Sequence, residues 1–171
     1  MKVLRKKDGA EKKPTVGIVH AIAVAIVVTM LVAAVVLGIR QRIDAHGFVI
    51  IGDGIRVQTT VAKSVVARNR GLSGKSGLAP DEGMLFIFDA PAVYRFWMKE
   101  MRFPIDIIWL ANGHIVDITT DLPVPIAGEE LPVFSPKVAV DRVLEVPAGF
   151  VQAHGLKLDM PVEYHGEGLG E

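Results

Sequence analysis

From Val16 to Ile39 the chain is apolar or small at every position except His20 and Thr29, and no charge interrupts the run. Its 24 residues exceed the roughly 20 that a helix needs to cross a bilayer core about 30 Å thick. A helix on the surface of a globular domain carries a polar face, and this one has none. The pattern predicts a transmembrane signal-anchor helix over 16–39. Beyond it the period changes. Ile55, Val57, Thr59 and Val61 alternate with Arg56, Gln58 and Thr60, the mark of a half-buried strand. A short strand at Phe48–Ile51 precedes it, joined by the turn Gly52-Asp53-Gly54, where both glycines tolerate positive φ. GMLFIFD at 83–89 reads as a strand covered on both faces. Further strands are predicted at Tyr94–Met101, Ile105–Leu110, His114–Thr120 and Val138–Val146, with Asn112-Gly113 a strong hairpin signal. Short helical turns are expected at 63–70 and 149–154, stopped by Gly71 and Gly155. Prolines at 123, 125, 132 and 136 make 121–136 an irregular loop. The expectation is a mainly β fold, a compact antiparallel sandwich or barrel-like domain with one or two short helices.

Charge gives this order a direction. Six basic residues (Lys2, Arg5, Lys6, Lys7, Lys12, Lys13) precede the apolar run against Asp8 and Glu11, and Arg40 and Arg42 follow it. That bias favours a cytoplasmic N-terminus and an extracytoplasmic C-terminal domain. The division expected is a basic cytoplasmic tail (1–15), the anchor (16–39), a tether (40–47), the β domain (48–165) and a disordered tail (166–171). A cleaved secretory signal is the alternative; it would release the domain on the same side, but the core is long for one and VVLGIRQR lacks an A-x-A cleavage pattern. From Asp44 onward there are 17 Asp+Glu against 11 Lys+Arg, an acidic balance that argues against nucleic-acid binding. The chain has no Cys, which excludes disulfides, thiolate metal sites, Cys nucleophiles and a lipid-modified Cys together.

Five blocks then occur in one order at compact spacing: Arg70-Gly71-Leu72, GMLFIF (83–88), FWMK (96–99), PIDI (104–107) and VLEVPAG (143–149). Together they resemble the DUF192 family, a small domain of unknown function, over about residues 48–163. The resemblance implies one β-rich domain, often placed behind a signal or anchor segment, and supplies no reaction. It aligns Arg70, Lys99, Asp106 and Glu145 with positions of the family pattern. The chain departs from that pattern at Ser73, where Met is usual, at Glu100-Met101, where Asn-Thr is usual, and at Arg142, where Tyr is usual.

The chemistry-bearing positions are few. Asp106 and Glu145 are lone carboxylates in otherwise apolar strands, and a buried carboxylate is costly unless paired or neutral. They are structural, with Arg70 as a partner that pins a loop, or an acid–base pair with Arg70 or Lys99 holding an anionic substrate, or simply exposed on the alternate face of their strands. Phe96 and Trp97 are adjacent, so on a strand one enters the core while the other lines an edge or groove. Lys99 is a ligand contact or a solvated lysine. The sequence GLSGKS (71–76) imitates a phosphate-binding loop, but Asn69 stands where its first Gly is required. Nucleotide is therefore not expected, nor any cofactor. The five His residues show no metal-binding spacing, so no metal is expected. The functional expectation is a membrane-anchored binding or accessory module at the cell envelope, with Arg70, Phe96, Trp97 and Lys99 as binding residues and an envelope ligand or a membrane protein as partner. A small envelope hydrolase using Asp106 and Glu145 is one alternative, and a structural partner of a membrane complex is another.

Overall fold

A computed structural model describes residues 16–40 and 45–166. The predicted tail 1–15, residues 41–44 of the tether and residues 167–171 lie outside the described residues. The chain divides after Arg40 into two units. The first contains α1 (Val16–Arg40), one helix of 25 residues. Its lone hydroxyl is satisfied within the helix, Thr29 Oγ1 donating to the Ala25 carbonyl at 2.8 Å. Side chains of α1 are described without a break only over residues 20–34. Among the described residues no helix is long and apolar enough to cross a membrane.

Among its described residues the second unit has nine strands and two short helices: β1 (Ala45–Ile51), β2 (Ile55–Ala62), α2 (Val65–Arg70), β3 (Glu82–Ala92), β4 (Phe96–Trp97), β5 (Ile105–Ala111), β6 (His114–Leu122), β7 (Val133–Phe134), β8 (Val140–Pro147), α3 (Phe150–His154) and β9 (Val162–Gly166). β1 begins inside the predicted tether, and β9 takes in Gly166 of the predicted tail. Seven strands form one sheet in the order β6-β5-β8-β3-β2-β1-β9. Every neighbouring pair is antiparallel except β2 and β3, which run parallel. Of the expected antiparallel sandwich or barrel-like domain, the mainly β character holds, with one curled sheet in place of a sandwich and one parallel pair within it. A parallel pair needs a long crossover, and residues 63–81, with α2, supply it.

The curl brings the two edge strands together at one end. Gly113 O accepts from Val162 N at 2.7 Å, Ile115 N donates to Met160 O at 3.0 Å, and Asp159 N donates to Ile115 O at 2.8 Å. His114 and Pro161 form a bridge between them. The result is a half-barrel sealed along part of one seam. Its tight corner is the predicted hairpin, where Asn112 (φ 52°) and Gly113 (φ 71°) both take positive φ, as a two-residue primed turn requires.

Both faces of the sheet are covered. Val49, Val57, Leu85, Ile108, Leu144, Ile115 and Val162 join with Phe150 and Val151 of α3 in one core. Because Ile115 and Val162 come from opposite edges, this is the concave face. On the convex face Met84, Phe86, Ile107, Trp109 and Val143 are covered by Leu72, Met98 and Met101. Central β5 is consequently buried at six consecutive positions, as expected for a strand with both sides covered.

The helical turns end where glycine permits. Ser64 Oγ caps α2 by accepting from Ala67 N at 3.1 Å, and Gly71 (φ 51°) stops it. Gly155 (φ 61°) stops α3. The strand expected at Tyr94–Met101 is reduced to the two residues of β4, paired with β7. Met98 and Met101 are both buried in the convex-face core, whereas strand alternation puts positions three apart on opposite faces. A turn solves this: Met101 N donates to Met98 O, and Glu100 adopts φ 57°.

Candidate functional site

The cleft lies on the convex face, where α2 and its trailing loop meet the segment 94–97 over strands β3 and β8. It encloses about 200 Å³ and is lined by Arg68–Ser73, Phe86, Phe88, Tyr94–Trp97, Met101 and Glu145. Four of the residues singled out from sequence, Arg70, Phe96, Trp97 and Glu145, are brought together here.

Its aromatic wall is built by mutual packing. Phe88 and Tyr94 stack with centroids 3.5 Å apart, and the Tyr94 hydroxyl donates to Ala90 O at 2.6 Å. Phe96 meets Phe86 (5.0 Å) and Trp109 (5.4 Å) edge to face, a geometry that suits the ring quadrupoles. Trp109 is held in turn by its indole N–H, which donates to Thr119 Oγ1 at 2.9 Å. Phe96 thus packs toward the core while Trp97 stays 51% exposed at the rim.

Basic side chains line the cleft together with these rings. Arg68 donates to Lys63 O (2.6 Å) and Ile87 O (2.9 Å) and lies 5.1 Å over the Phe88 ring, so it fastens α2 to β3 as well as lining the cleft. Arg70 ends α2, and Arg95 is exposed between two aromatic residues. Ser73 Oγ donates to Lys99 O at 2.7 Å, and Gly74 N donates to Glu100 O at 3.0 Å. These two bonds tie the loop after α2 to the turn after β4.

Glu145 forms part of the lining from β8, in register with Met84 of β3 and Ile107 of β5. It is only 6% exposed. Burial pushes its pKa from 4.5 up to about 8, because an ionised carboxylate loses its hydration there. At neutral pH the group is a carboxylic acid, able to donate a hydrogen bond.

Asp106 sits elsewhere. It pairs with Val146 on β8, one position beyond Glu145, so the two carboxyls leave opposite faces of the sheet. Asp106 is fully buried and accepts from Asp121 N at 2.9 Å and from Val151 N at 3.0 Å. The first bond holds the end of β6. The second satisfies an N-terminal amide of α3, whose own N-cap residue, Gly149, makes no side-chain bond. These two carboxylates therefore do not form an acid–base pair. Lys99 is outside the cleft lining, its side chain 58% exposed and its ammonium 4.0 Å from Glu100 Oε1.

Sequence reasoning missed Arg68, Arg95, Tyr94 and Phe88. The run Tyr94-Arg95-Phe96-Trp97 did carry a signal, a cation set among three aromatic rings. Among the described residues no three His, Asp or Glu side chains are grouped to hold a metal ion.

The half-barrel and its cleft define a small β-rich domain with an aromatic and basic pocket on its convex face. Residues 48–164 match the DUF192 family, described as an uncharacterized ACR, and the chain belongs to that family. A crystal structure of a provisionally described transcription regulator from Sinorhizobium meliloti 1021 is similar, with 28% identity and a TM-score of 0.65, covering 71% of this chain and 95% of that one. A protein of unknown function from Novosphingobium aromaticivorans DSM 12444 shares the fold, with 22% identity and a TM-score of 0.61, covering 68% of this chain and 83% of that one. No curated protein matches the chain.

Proposed function

We propose that the domain is a membrane-anchored, extracytoplasmic binding module whose cleft takes a small envelope ligand. The observation that carries the binding reading is the convergence of Arg70, Phe96, Trp97 and buried Glu145 on one pocket. Concave, largely apolar sites with a few polar groups are the usual form of a small-molecule site. Anchoring is supported by the uncharged run 16–39, helical throughout in α1, and by the basic residues before it. Hydrolysis by Asp106 and Glu145 is disfavoured by their opposite faces.

Two experiments test the two halves. Full-length protein in detergent micelles is titrated with envelope sugars, peptides and small metabolites while amide shifts are followed. Shifts confined to residues 68–73 and 94–97 are expected, and shifts that avoid the cleft for every compound count against the binding reading. Protease is added to intact cells stripped of any outer layer, and the β domain should be cut while residues 1–15 are spared. Protection of the domain would reverse the orientation.

A second reading, a structural partner in a membrane complex, is favoured by one feature. Trp97 and Val133 are cross-strand partners on the β4–β7 ribbon and are 51% and 44% exposed, apolar surface that a protein contact would cover.

A further inference from the structure

The charge of the cleft runs against that of the domain around it. From Asp44 onward acids outnumber Lys+Arg by 17 to 11. The cleft nevertheless gathers three arginines, Arg68, Arg70 and Arg95, and a single acid, Glu145. A recess of one sign with apolar walls focuses its field on the space it encloses. The rings of Phe88, Tyr94, Phe96 and Trp97 line the same cleft among these cations, with Arg68 lying 5.1 Å over the Phe88 ring, Arg95 between Tyr94 and Phe96 in the chain, and Trp97 half exposed.

We infer that the cleft selects a small flat organic anion, a single ring system bearing a carboxylate or phosphoryl group, which lays its ring on the Tyr94–Trp97 wall and directs its charge to the arginines. This rests on the binding reading above and goes on to name the ligand class. Size limits the ligand. About 200 Å³ holds roughly six or seven waters at liquid density and falls below the roughly 300–1,000 Å³ of drug-sized sites. One ring and its acidic arm suffice to fill such a recess. Arginine suits the acidic arm because its planar fork matches either oxyanion. The floor suits it as well, since protonated Glu145 donates to an anion that a carboxylate would repel. The charged groups lining the cleft with Glu145 are Arg68 and Arg70 from α2 and Arg95 before β4; β3 and β5 place Met84 and Ile107 beside it in register.

The test titrates the full chain in neutral-detergent micelles with indole-3-carboxylate, phenyl phosphate, the uncharged indole-3-carboxamide and inorganic phosphate, reading amide shifts. At pH 7 at least one of the two ring-bearing anions should shift Gly71, Phe96 and Trp97 saturably and bind at least tenfold tighter than the carboxamide; which one does so identifies the acidic group. Inorganic phosphate should leave these amides unmoved. Arg95→Gln should weaken the anion at least fivefold and leave carboxamide binding unchanged. Anion affinity should fall as pH rises through 8, and Glu145→Gln should abolish that fall. Carboxamide binding as tight as either anion would overturn the ligand class and leave the cleft a binding site. If neither anions nor carboxamide move the cleft amides, both this inference and the binding reading fall.

Discussion

Replacing Asp106 by alanine removes an acceptor on which two distant segments converge. The carboxylate is fully buried and takes amide protons from Asp121, 15 residues away, and Val151, 45 residues away. In Asp106→Ala both donors stay behind with no acceptor. The Val151 amide, left in a buried place, costs about 1–3 kcal/mol as an orphan, and the part-buried Asp121 amide costs less because water can reach it, so the loss should be about 2–4 kcal/mol. With a urea slope of about 1–3 kcal/mol per molar, the unfolding midpoint should drop by roughly 1–2 M. The assay is urea denaturation of the full chain in micelles, read by fluorescence, since Trp109 is fully buried in the domain. Hydrogen exchange adds a local readout: Asp121 and Val151 should lose protection beyond the global change, because β6 loses its end clamp and α3 its cap. Asp106→Asn keeps one oxygen but turns an NH2 toward the second amide, and should recover only part of the loss. A midpoint within about 0.3 M of the parent, with both amides still protected, would refute the assignment of Asp106 as a structural pin.

Other expectations follow from the same contacts. The native Glu145 carboxyl holds its proton up to about pH 8 while the unfolded chain releases it near 4.5, so this group's stabilisation is complete below 4.5, declines between those values and is level above them; the slope should be of order 1 kcal/mol per pH unit, and Glu145→Gln should flatten it in urea titrations. Gly83→Ala should destabilise by about 1–3 kcal/mol, because the added Cβ would stand 2.7 Å from the Glu145 carbonyl oxygen and 3.1 Å from Val57 Cγ1; an unchanged melting temperature would show that β3 can move away from β8. Phe96→Ala, at a partly buried position, should cost about 2–3 kcal/mol, below the full core value, through its contacts with Phe86 and Trp109. Trp97→Ala, at a half-exposed position, should leave the melting temperature nearly unaltered yet weaken any ligand of the cleft, and equal effects of these two variants on stability would contradict the assignment of wall and rim.

Much of the local structure was legible because it is set by neighbours in sequence. Alternation at Ile55–Val61, the Asn112-Gly113 hairpin and the stops at Gly71 and Gly155 each depend on a few adjacent residues. The sheet order did not show, since β1 finds β9 and β2 runs parallel to β3 through contacts far apart in the chain. The segment 94–101 misled for a physical reason: its apolar residues read as strand alternation, but they cover the convex face through a turn. At the site, Arg70, Phe96, Trp97 and Glu145 were identified one by one, while their convergence depends on the crossover that lays α2 over β3. Asp106 and Glu145 look alike in sequence, and only the register of β5 against β8 reveals that they serve opposite faces.

The seam that closes the half-barrel also dictates an order of events during synthesis. Residues 113–115 have to wait for 159–162 before their backbone groups are engaged, and β1 waits for β9 across more than a hundred positions. A chain emerging during synthesis therefore carries an open strand edge until residue 166 is free to pair. A chaperone that shields strand edges has its window of use there, and its absence should be felt as misassembly of newly made chains, with mature ones unaffected.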